Sequence, residues 1–474
     1  MSIPSVIWRM CQVRRAERLS PDAIKRLRQR RLRRLLEHAL AQSRFYVEYY
    51  RAHGITADQL DDVELQDLPV INKQIVMENF DALVCDPALT RAGIEQFINE
   101  CHDLEAKYRG RYHVMHTSGS TGSIGIFVYG ERDWHMMQAL AATRVVKYRP
   151  TLGRIRYAFI VKTDGHHAGI KLCLAAPRIA FQRLPLSVNG ALDEVLREVQ
   201  RFQPHLLGGY GSGLQLLAQE QLAGRIHIRP KRIISSAEPL TDAMKQSITQ
   251  AFGVVPLDFY TASDSLVIGV SCQYDRGIHL FDDWFCFETA DGAGRPVRRG
   301  DSVPPGEGSG RLILTNLYNY TQPLIRYEMN DELIPAEGRC PWGSPFPLVR
   351  GVAGRVEEIL WFNRRDGGRD YVHPIALTGL CAPGAEKWQF VQTAPNALLL
   401  RLKIPGGAQT VVQQARDEIV GILRHKHLDE CVTVRTEVVD EIPNDPQTGK
   451  FRMVIPYHSR ANAARINGPA RPPN

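Results

Sequence analysis

Between residues 155 and 252 short apolar runs alternate with segments of helical periodicity, and this alternation restricts the chain to a layered α/β architecture. Tyr157–Val161, Arg232–Ser235 and Leu312–Thr315 read as strands, and Leu192–Phe202 and Asp242–Phe252 as helices. After about residue 356 the pattern changes to a compact α+β set: strands over Val356–Phe362, Leu398–Ile404 and Val432–Val438, and a helix over Val411–His425. A chain of 474 residues exceeds what one hydrophobic core supports. The expectation is a large α/β domain over residues 1–356 and a small α+β domain over 357–474.

The chain carries a formal charge of +8, yet residues 1–51 alone hold 13 Lys/Arg against 4 Asp/Glu, so the remainder is close to neutral. The basic segment reads as a helix. Ser20 caps it, Pro21 suits its first turn, and Ile24, Leu27, Leu32, Leu35, Leu36, Ala39 and Leu40 share one face. Its arginines fall on the opposite face, which is either solvated or turned to an acidic partner such as a carrier protein or a membrane surface. No nucleic-acid module is recognisable. No apolar run is long enough to cross a membrane, no secretion signal is visible, and the nine cysteines form no compact framework. The reading is a cytoplasmic protein.

His116-Thr117-Ser118-Gly119-Ser120-Thr121-Gly122-Ser123 gathers hydroxyls and glycines in a turn after a short apolar stretch. Glycines let backbone N–H groups approach phosphate oxygens, and Ser/Thr hydroxyls add donors. The Gly-Lys-Ser/Thr ending of a Walker loop is absent, which disfavours an ordinary P-loop NTPase. Four further segments follow in order: Ser235-Ser236-Ala237-Glu238-Pro239-Leu240, Asp258-Phe259-Tyr260-Thr261-Ala262-Ser263-Asp264, Arg326-Tyr327-Glu328-Met329-Asn330-Asp331, and Gly354-Arg355-Val356-Glu357-Glu358. Thr448-Gly449-Lys450 stands near the end.

In this ordered set, and in Leu68-Pro69-Val70-Ile71-Asn72-Lys73, the chain resembles the adenylate-forming ligases that include acyl-CoA synthetases, and among them the phenylacetate–CoA ligase family. The resemblance implies a large N-terminal adenylate-forming domain with a small mobile C-terminal lid that turns about Glu357 and carries a catalytic Lys450. It places Thr117, Ser118, Gly119, Ser120, Thr121 and Gly122 around the ATP phosphates, Ala237, Glu238 and Tyr260 against adenine, Asp331 on the ribose hydroxyls and Arg355 beside the nucleotide. Asp264 stands where the family has a magnesium-binding glutamate, with Ser263 as a neighbouring donor. The acid pocket falls near Tyr210, Gly211 and Ser236.

The implied reaction joins a small carboxylic acid, aryl or aryl-acetic, to AMP and passes it to the thiol of coenzyme A or of a carrier protein's phosphopantetheine. ATP and magnesium are the implied cofactors. Two departures stand out: Asp264 is a methylene shorter than glutamate, and the loop continues Ser123-Ile124-Gly125 without the lysine common in the superfamily. They keep open a non-catalytic homologue, and the resemblance to deazaflavin-adenylylating synthetases keeps open adenylyl transfer without a thiol step. Cys272, His279 and Cys340 match positions where relatives bind structural zinc through three cysteines and a histidine, but Trp342 takes the fourth position. His166 and His167 lie in a Gly-flanked loop and read as surface histidines or as substrate or thiol contacts. Nothing in the sequence sets the oligomeric state.

Overall fold

The computed structural model describes residues 3–56, 64–117, 124–148, 153–272, 277–290, 296–297, 311–336, 340, 343–353, 359–377, 380, 382, 385–404, 409–443 and 452–457. The chain divides into two compact units, one of residues 1–117, 125–185 and 202–354, the other of 118–124, 186–201 and 355–474.

The first unit begins with two helices, α1 (Ile3–Ala16) and α2 (Pro21–Gln42). Ser20 caps α2 as expected, its Oγ accepting from the Ala23 N–H at 3.3 Å. Ile24, Leu35, Leu36 and Ala39 of the expected face are buried. Arg26, Arg30, Arg33 and Arg34 are exposed, but the arginines do not all fall opposite the apolar face: Arg28 and Arg31 flank Ile24 and Leu35, where Arg28 pairs with Asp282 at 2.7 Å and Arg31 lies over the Trp284 ring at 3.3 Å. Helix α1 was not foreseen, because Arg9 interrupts its short apolar patch.

The strands of this unit are β1 (His113–His116), β2 (Ile126–Tyr129), β3 (Ile155–Val161), β4 (Phe181–Ser187), β5 (Leu206–Tyr210), β6 (Arg232–Ser236) and β7 (Leu257–Ala262). They are followed by β8 (Leu266–Ser271), β9 (Ile278–Leu280), β10 (Phe285–Ala290), β11 (Pro296–Val297), β12 (Arg311–Asn316), β13 (Tyr327–Pro335) and β14 (Leu348–Ala353). Twelve of them form one sheet in the order β11-β10-β12-β13-β14-β9-β8-β7-β6-β5-β3-β4. β3, β5, β6 and β7 run parallel, with helices Gly211–Leu222 and Asp242–Phe252 as crossovers. From β8 onward the pairings are antiparallel. The alternation read over 155–252 therefore ends at β7, and the rest of this large α/β sheet is antiparallel.

β1 and β2 form a separate antiparallel pair joined by residues 117–125. The carboxyl ends of β5, β6 and β7 lie side by side, and ligands of open α/β sheets bind outside such ends.

The second unit holds β15 (Leu360–Asn363) paired with β16 (Arg369–Val372), and a sheet of β17 (Lys387–Ala394), β18 (Ala397–Lys403), β19 (Thr433–Val438) and β20 (Val454–Ile455) in the order β19-β18-β17-β20. Helix Gln409–His425 packs Val411, Ala415, Ile419 and Leu423 onto Phe390, Leu398, Leu400 and Leu402. Its i, i+4, i+8, i+12 spacing is the stripe that produced the sequence reading. Within this unit the Leu192 N–H donates to Asp370 at 2.9 Å, and buried Lys426 donates to the Gly190 carbonyl at 2.7 Å.

Candidate functional site

The Ser263–Ser265 turn connects β7 to β8, and two buried tyrosines hold it by its backbone. The Tyr129 hydroxyl donates to the Asp264 carbonyl at 2.6 Å, and the Tyr318 hydroxyl donates to the Ser265 carbonyl at 2.8 Å. Leu266 follows in a left-handed conformation at φ 57°, which fixes the exit of the turn. Tyr129 ends β2, so the strand that closes the 117–125 connection also anchors Asp264.

The Asp264 side chain is half-buried, and its Oδ1 is sealed from water with no hydrogen-bond partner among the described residues. Burial, and next the charge of Asp331, push its carboxyl up to about 7. An under-satisfied carboxylate oxygen facing a second carboxylate suits a hard divalent cation. The residues present therefore fit magnesium.

Asp331 lies on β13 and reaches the end of β7, where the Tyr260 hydroxyl donates to its Oδ2 at 2.8 Å. Burial raises the Asp331 carboxyl above its ordinary range, while the Tyr260 bond opposes the rise. Glu238 follows β6, and its Oε2 accepts from both the N–H of Ser212 at 2.9 Å and its hydroxyl at 2.6 Å. Ala237 is exposed at φ 65°, a conformation that costs a non-glycine residue about 1 kcal/mol or more. Gly211, at the start of helix Gly211–Leu222, packs where a Cβ would sit 3.1 Å from Ser235 Oγ and 3.8 Å from Glu238 Oε2. Ser236 is buried at the end of β6, and buried Tyr210 ends β5 with its hydroxyl accepting from the Lys162 N–H at 3.4 Å.

Thr117 closes the base of the 117–125 connection. Its N–H donates to the Gly125 carbonyl at 2.9 Å, and its Oγ1 accepts from the Gly125 N–H at 2.9 Å. Ser118, Gly119, Ser120, Thr121 and Gly122, together with Arg355, Glu357 and Lys450, lie outside the described residues. Ser263 sits half-buried in the turn beside Asp264.

One residue at this site went unassigned in the sequence. Lys73 starts the helix Lys73–Glu78, where Asn72 Oδ1 accepts from the Ile75 N–H at 3.0 Å. A Cβ on Gly125 would lie 3.0 Å from Lys73 Cε and 3.3 Å from Thr117 Oγ1, so the lysine stem lies against the base of the connection. Burial lowers the Lys73 ammonium, and the Asp264 charge counters that. The segment before it is stitched to β13: the Ile71 N–H donates to Arg326 at 3.0 Å and the Ile71 carbonyl accepts from Glu328 at 2.8 Å. Arg326 pairs with Glu288 at 3.1 Å and donates to the Gln66 carbonyl at 2.7 Å.

The two loop histidines are not at the surface as a pair. His166 is buried with its Nε2 against the Cys101 carbonyl at 2.8 Å, and His167 lies 4.4 Å from the His116 ring, beside Thr117. Burial pushes the His167 imidazole down to about 2, so it is neutral at physiological pH.

Cys272, His279 and Cys340 meet at the far end of β8 and β9, with their ligand atoms all within 4.8 Å of one another. The two sulfurs are 3.8 Å apart, close to the roughly 3.8 Å that two thiolates span across a tetrahedral zinc at about 2.3 Å per bond. His279 Nδ1 points to the Phe346 carbonyl at 3.4 Å, which turns Nε2 toward the thiols. The three residues fit three corners of a zinc tetrahedron. Trp342, at the expected fourth position, lies outside the described residues.

No family model matches the chain. It is 25% identical over 359 residues to the phenylacetate–coenzyme A ligase of Pseudomonas putida, covering 73% of each chain. It is also 25% identical over 365 residues to that of Escherichia coli K12, covering 73% of this chain and 74% of the other. The chain is a relative of the phenylacetate–coenzyme A ligases. The crystal structure of 2-hydroxyisobutyryl-CoA ligase in an open conformation with 2-HIB-AMP and CoA superposes with a TM-score of 0.58 at 20% identity, covering 93% of each chain. The chain thus shares the fold of that CoA ligase; of the ordered motifs, 235–240 runs out of β6, 258–264 follows β7 into its turn and 326–331 opens β13, while 354–358 and 448–450 lie outside the described residues.

Proposed function

We propose that the protein activates a small carboxylic acid, aryl or aryl-acetic, as its acyl-adenylate and transfers the acyl group to a thiol, with coenzyme A as acceptor. The observation that carries this reading is the convergence of Asp264, Asp331, Tyr260, Lys73 and Thr117 around the end of β7 in a relative of acid–CoA ligases. Asp331 accepts the ribose hydroxyls, Tyr260 and Ala237 border the adenine, and Thr117 to Gly122 wrap the phosphates. The left-handed Ala237 is a strained position of the kind that persists where backbone must meet a ligand.

In the first half-reaction the substrate carboxylate attacks the α-phosphorus of ATP and pyrophosphate leaves. Magnesium at Asp264 neutralises phosphate charge when bound. Lys73 supplies a cation beside the phosphate connection, where residue 123 is serine, and Lys450 of the C-terminal domain meets the charge that develops on the α-phosphate. Ser263 donates from the turn. The acid lies against Tyr210, Gly211 and Ser236, with neutral His167 and His116 beside Thr117.

In the second half-reaction the thiolate attacks the acyl carbonyl carbon, the carbonyl–oxygen bond to phosphate breaks, and AMP leaves with that electron pair. Domain 357–474 turns about Glu357 between the two steps, with Arg355 next to the hinge. Zinc at Cys272, His279 and Cys340 is structural.

Carboxylate-dependent exchange of labelled pyrophosphate into ATP, with phenylacetate first among the acids, tests the reading. Acid-dependent exchange followed by thioester formation on adding coenzyme A supports it. No exchange with any aryl, aryl-acetic or short aliphatic acid overturns it.

A further inference from the structure

The spacing Leu27, Arg30, Arg31, Arg34 is i, i+3, i+4, i+7, so three arginines of α2 share one face with one leucine. That face borders a cavity of about 520 Å³ in the first unit, together with Arg9 of α1 and Arg132 of helix Glu131–Leu140. No Asp or Glu lines it among the described residues, and none of the residues assigned above to nucleotide, acid or zinc does.

The nearby carboxylates are already engaged. Asp283 is held by Arg144 through two bonds of 2.7 and 2.9 Å; its Oδ2, shared with Arg144, also reaches Arg31 at 3.5 Å, and its backbone carbonyl accepts from Arg31. Asp133 accepts from the Gly130 N–H at 3.2 Å and from the Thr321 hydroxyl at 2.6 Å. Among the described residues Arg9, Arg30, Arg34 and Arg132 have no carboxylate within ion-pair distance. Arg9 Nε is sealed from water without a partner, and its Nη1 meets only Met136 Sδ, at 3.8 Å. Like charges clustered in this way repel one another, and an unpaired buried donor costs about 1–3 kcal/mol. A bound anion relieves both.

The walls select the kind of anion. Arg31 is stacked on Trp284 at 3.3 Å and Arg132 lies over Tyr320 at 5.0 Å, which holds these guanidinium planes in place. Trp8 stands at the rim, 59% exposed. Guanidinium groups in fixed planes match the paired oxygens of phosphate better than a point charge does. The volume is that of a small-molecule site, and a concave pocket of this size admits no duplex or flat bilayer surface.

We propose that this cavity binds a soluble phosphate ester carrying several negative charges. The site's arginines take no part in the ligase reading; of its lining only Tyr318 also touches the candidate active site, through its hydroxyl on the Ser265 carbonyl.

Inorganic tripolyphosphate is the probe, followed by calorimetry and by tryptophan fluorescence at about 0.15 M salt, where attraction between distant exposed charges is screened beyond about 8 Å. The wild-type protein binds it saturably, with a change in tryptophan emission. Arg30→Gln/Arg34→Gln weakens binding tenfold or more, Arg132→Gln weakens it less, and Arg26→Gln, on the same helix but outside the cavity, leaves it unchanged. All four positions are exposed, so the fold survives. Lys73→Ala, which removes the cation proposed beside the phosphate connection, also leaves the fluorescence change intact. Equal affinity in the double variant, equal loss in Arg26→Gln, or a signal that follows Lys73 each overturns the proposal. So does binding to anionic phospholipid vesicles without binding of tripolyphosphate, since Ile3 and Ile7 are exposed beside Trp8 and a headgroup is the other source of phosphate.

Discussion

The Tyr260 hydroxyl donates to Asp331 Oδ2 at 2.8 Å, joining the end of β7 to β13 across a separation of 71 residues. The bond orients the carboxylate through one oxygen and leaves the other without a hydrogen bond among the described residues. Asp331→Ala removes the acceptor proposed for both ribose hydroxyls and is expected to weaken ATP binding by about 2–4 kcal/mol, roughly 30- to 1,000-fold. Tyr260→Phe removes only the orienting donor and is expected to cost about 0.5–1.5 kcal/mol. Calorimetry with ATP distinguishes the two, and unchanged ATP affinity in Asp331→Ala sinks the ribose assignment.

Lys73 occupies the ground between Asp264 and the base of the 117–125 connection. Lys73→Ala is expected to lower kcat/KM for pyrophosphate exchange by about 10- to 100-fold, the scale of one cation at a transferring phosphate, while Lys73→Arg retains part of it. Exchange within twofold of wild type in Lys73→Ala shows that the lysine only packs.

The motif order was legible because each motif is a short local pattern, and Ala237 falls just past the strand read over Arg232–Ser235. Lys73 was visible as a motif member, but its role was not. The contact with Gly125 spans 52 residues, and nothing in Leu68–Lys73 declares a partner at that range. The arginine face of α2 failed for the same reason: its spacing reads as solvated until Trp284 and Tyr320 arrive from a distant part of the chain. The switch to antiparallel pairing after β7 was hidden because strands of both kinds are apolar runs of similar length.

Zinc is expected at about one equivalent per chain in protein purified without chelator, and Cys272→Ser or Cys340→Ser is expected to release it and lower thermal stability. Elemental analysis alongside a melting curve checks this. Protein devoid of zinc, with melting unchanged on adding it, leaves the two sulfurs as ordinary packed thiols.

Lys450→Ala is expected to reduce adenylate formation by about 100-fold or more while leaving thioester formation from supplied acyl-adenylate nearly intact. The separation follows from the charge each step develops. Attack on ATP builds charge on a phosphate already bearing several, whereas AMP departs from an activated anhydride. Equal loss in both half-reactions places the lysine elsewhere.

Asp264 combines the proposed metal-binding role with a stability defect, and the two can be separated by pH. Its carboxyl is pushed up to about 7 by burial and by Asp331, whereas in the unfolded chain it titrates near 3.8. The folded state therefore holds a proton over a range where the unfolded state has lost it. The stability this group contributes is fully present below about pH 4 and disappears as pH rises through 7. Asp264→Asn, which carries no charge at any pH, is expected to melt above the wild type at pH 8 by about 1–3 kcal/mol of added stability, with a much smaller difference at pH 4. The same variant is expected to lose most magnesium-dependent exchange, because the amide is a poor ligand for a hard cation. Asp264→Glu addresses the shorter side chain. A pocket fitted to aspartate loses activity with the longer acid, while a decayed site regains it. Full magnesium-dependent exchange in Asp264→Asn means that the metal is held by other groups. A melting difference that does not change between pH 4 and pH 8 means that Asp264 is already ionised in the folded protein and that neither burial nor Asp331 opposes its charge.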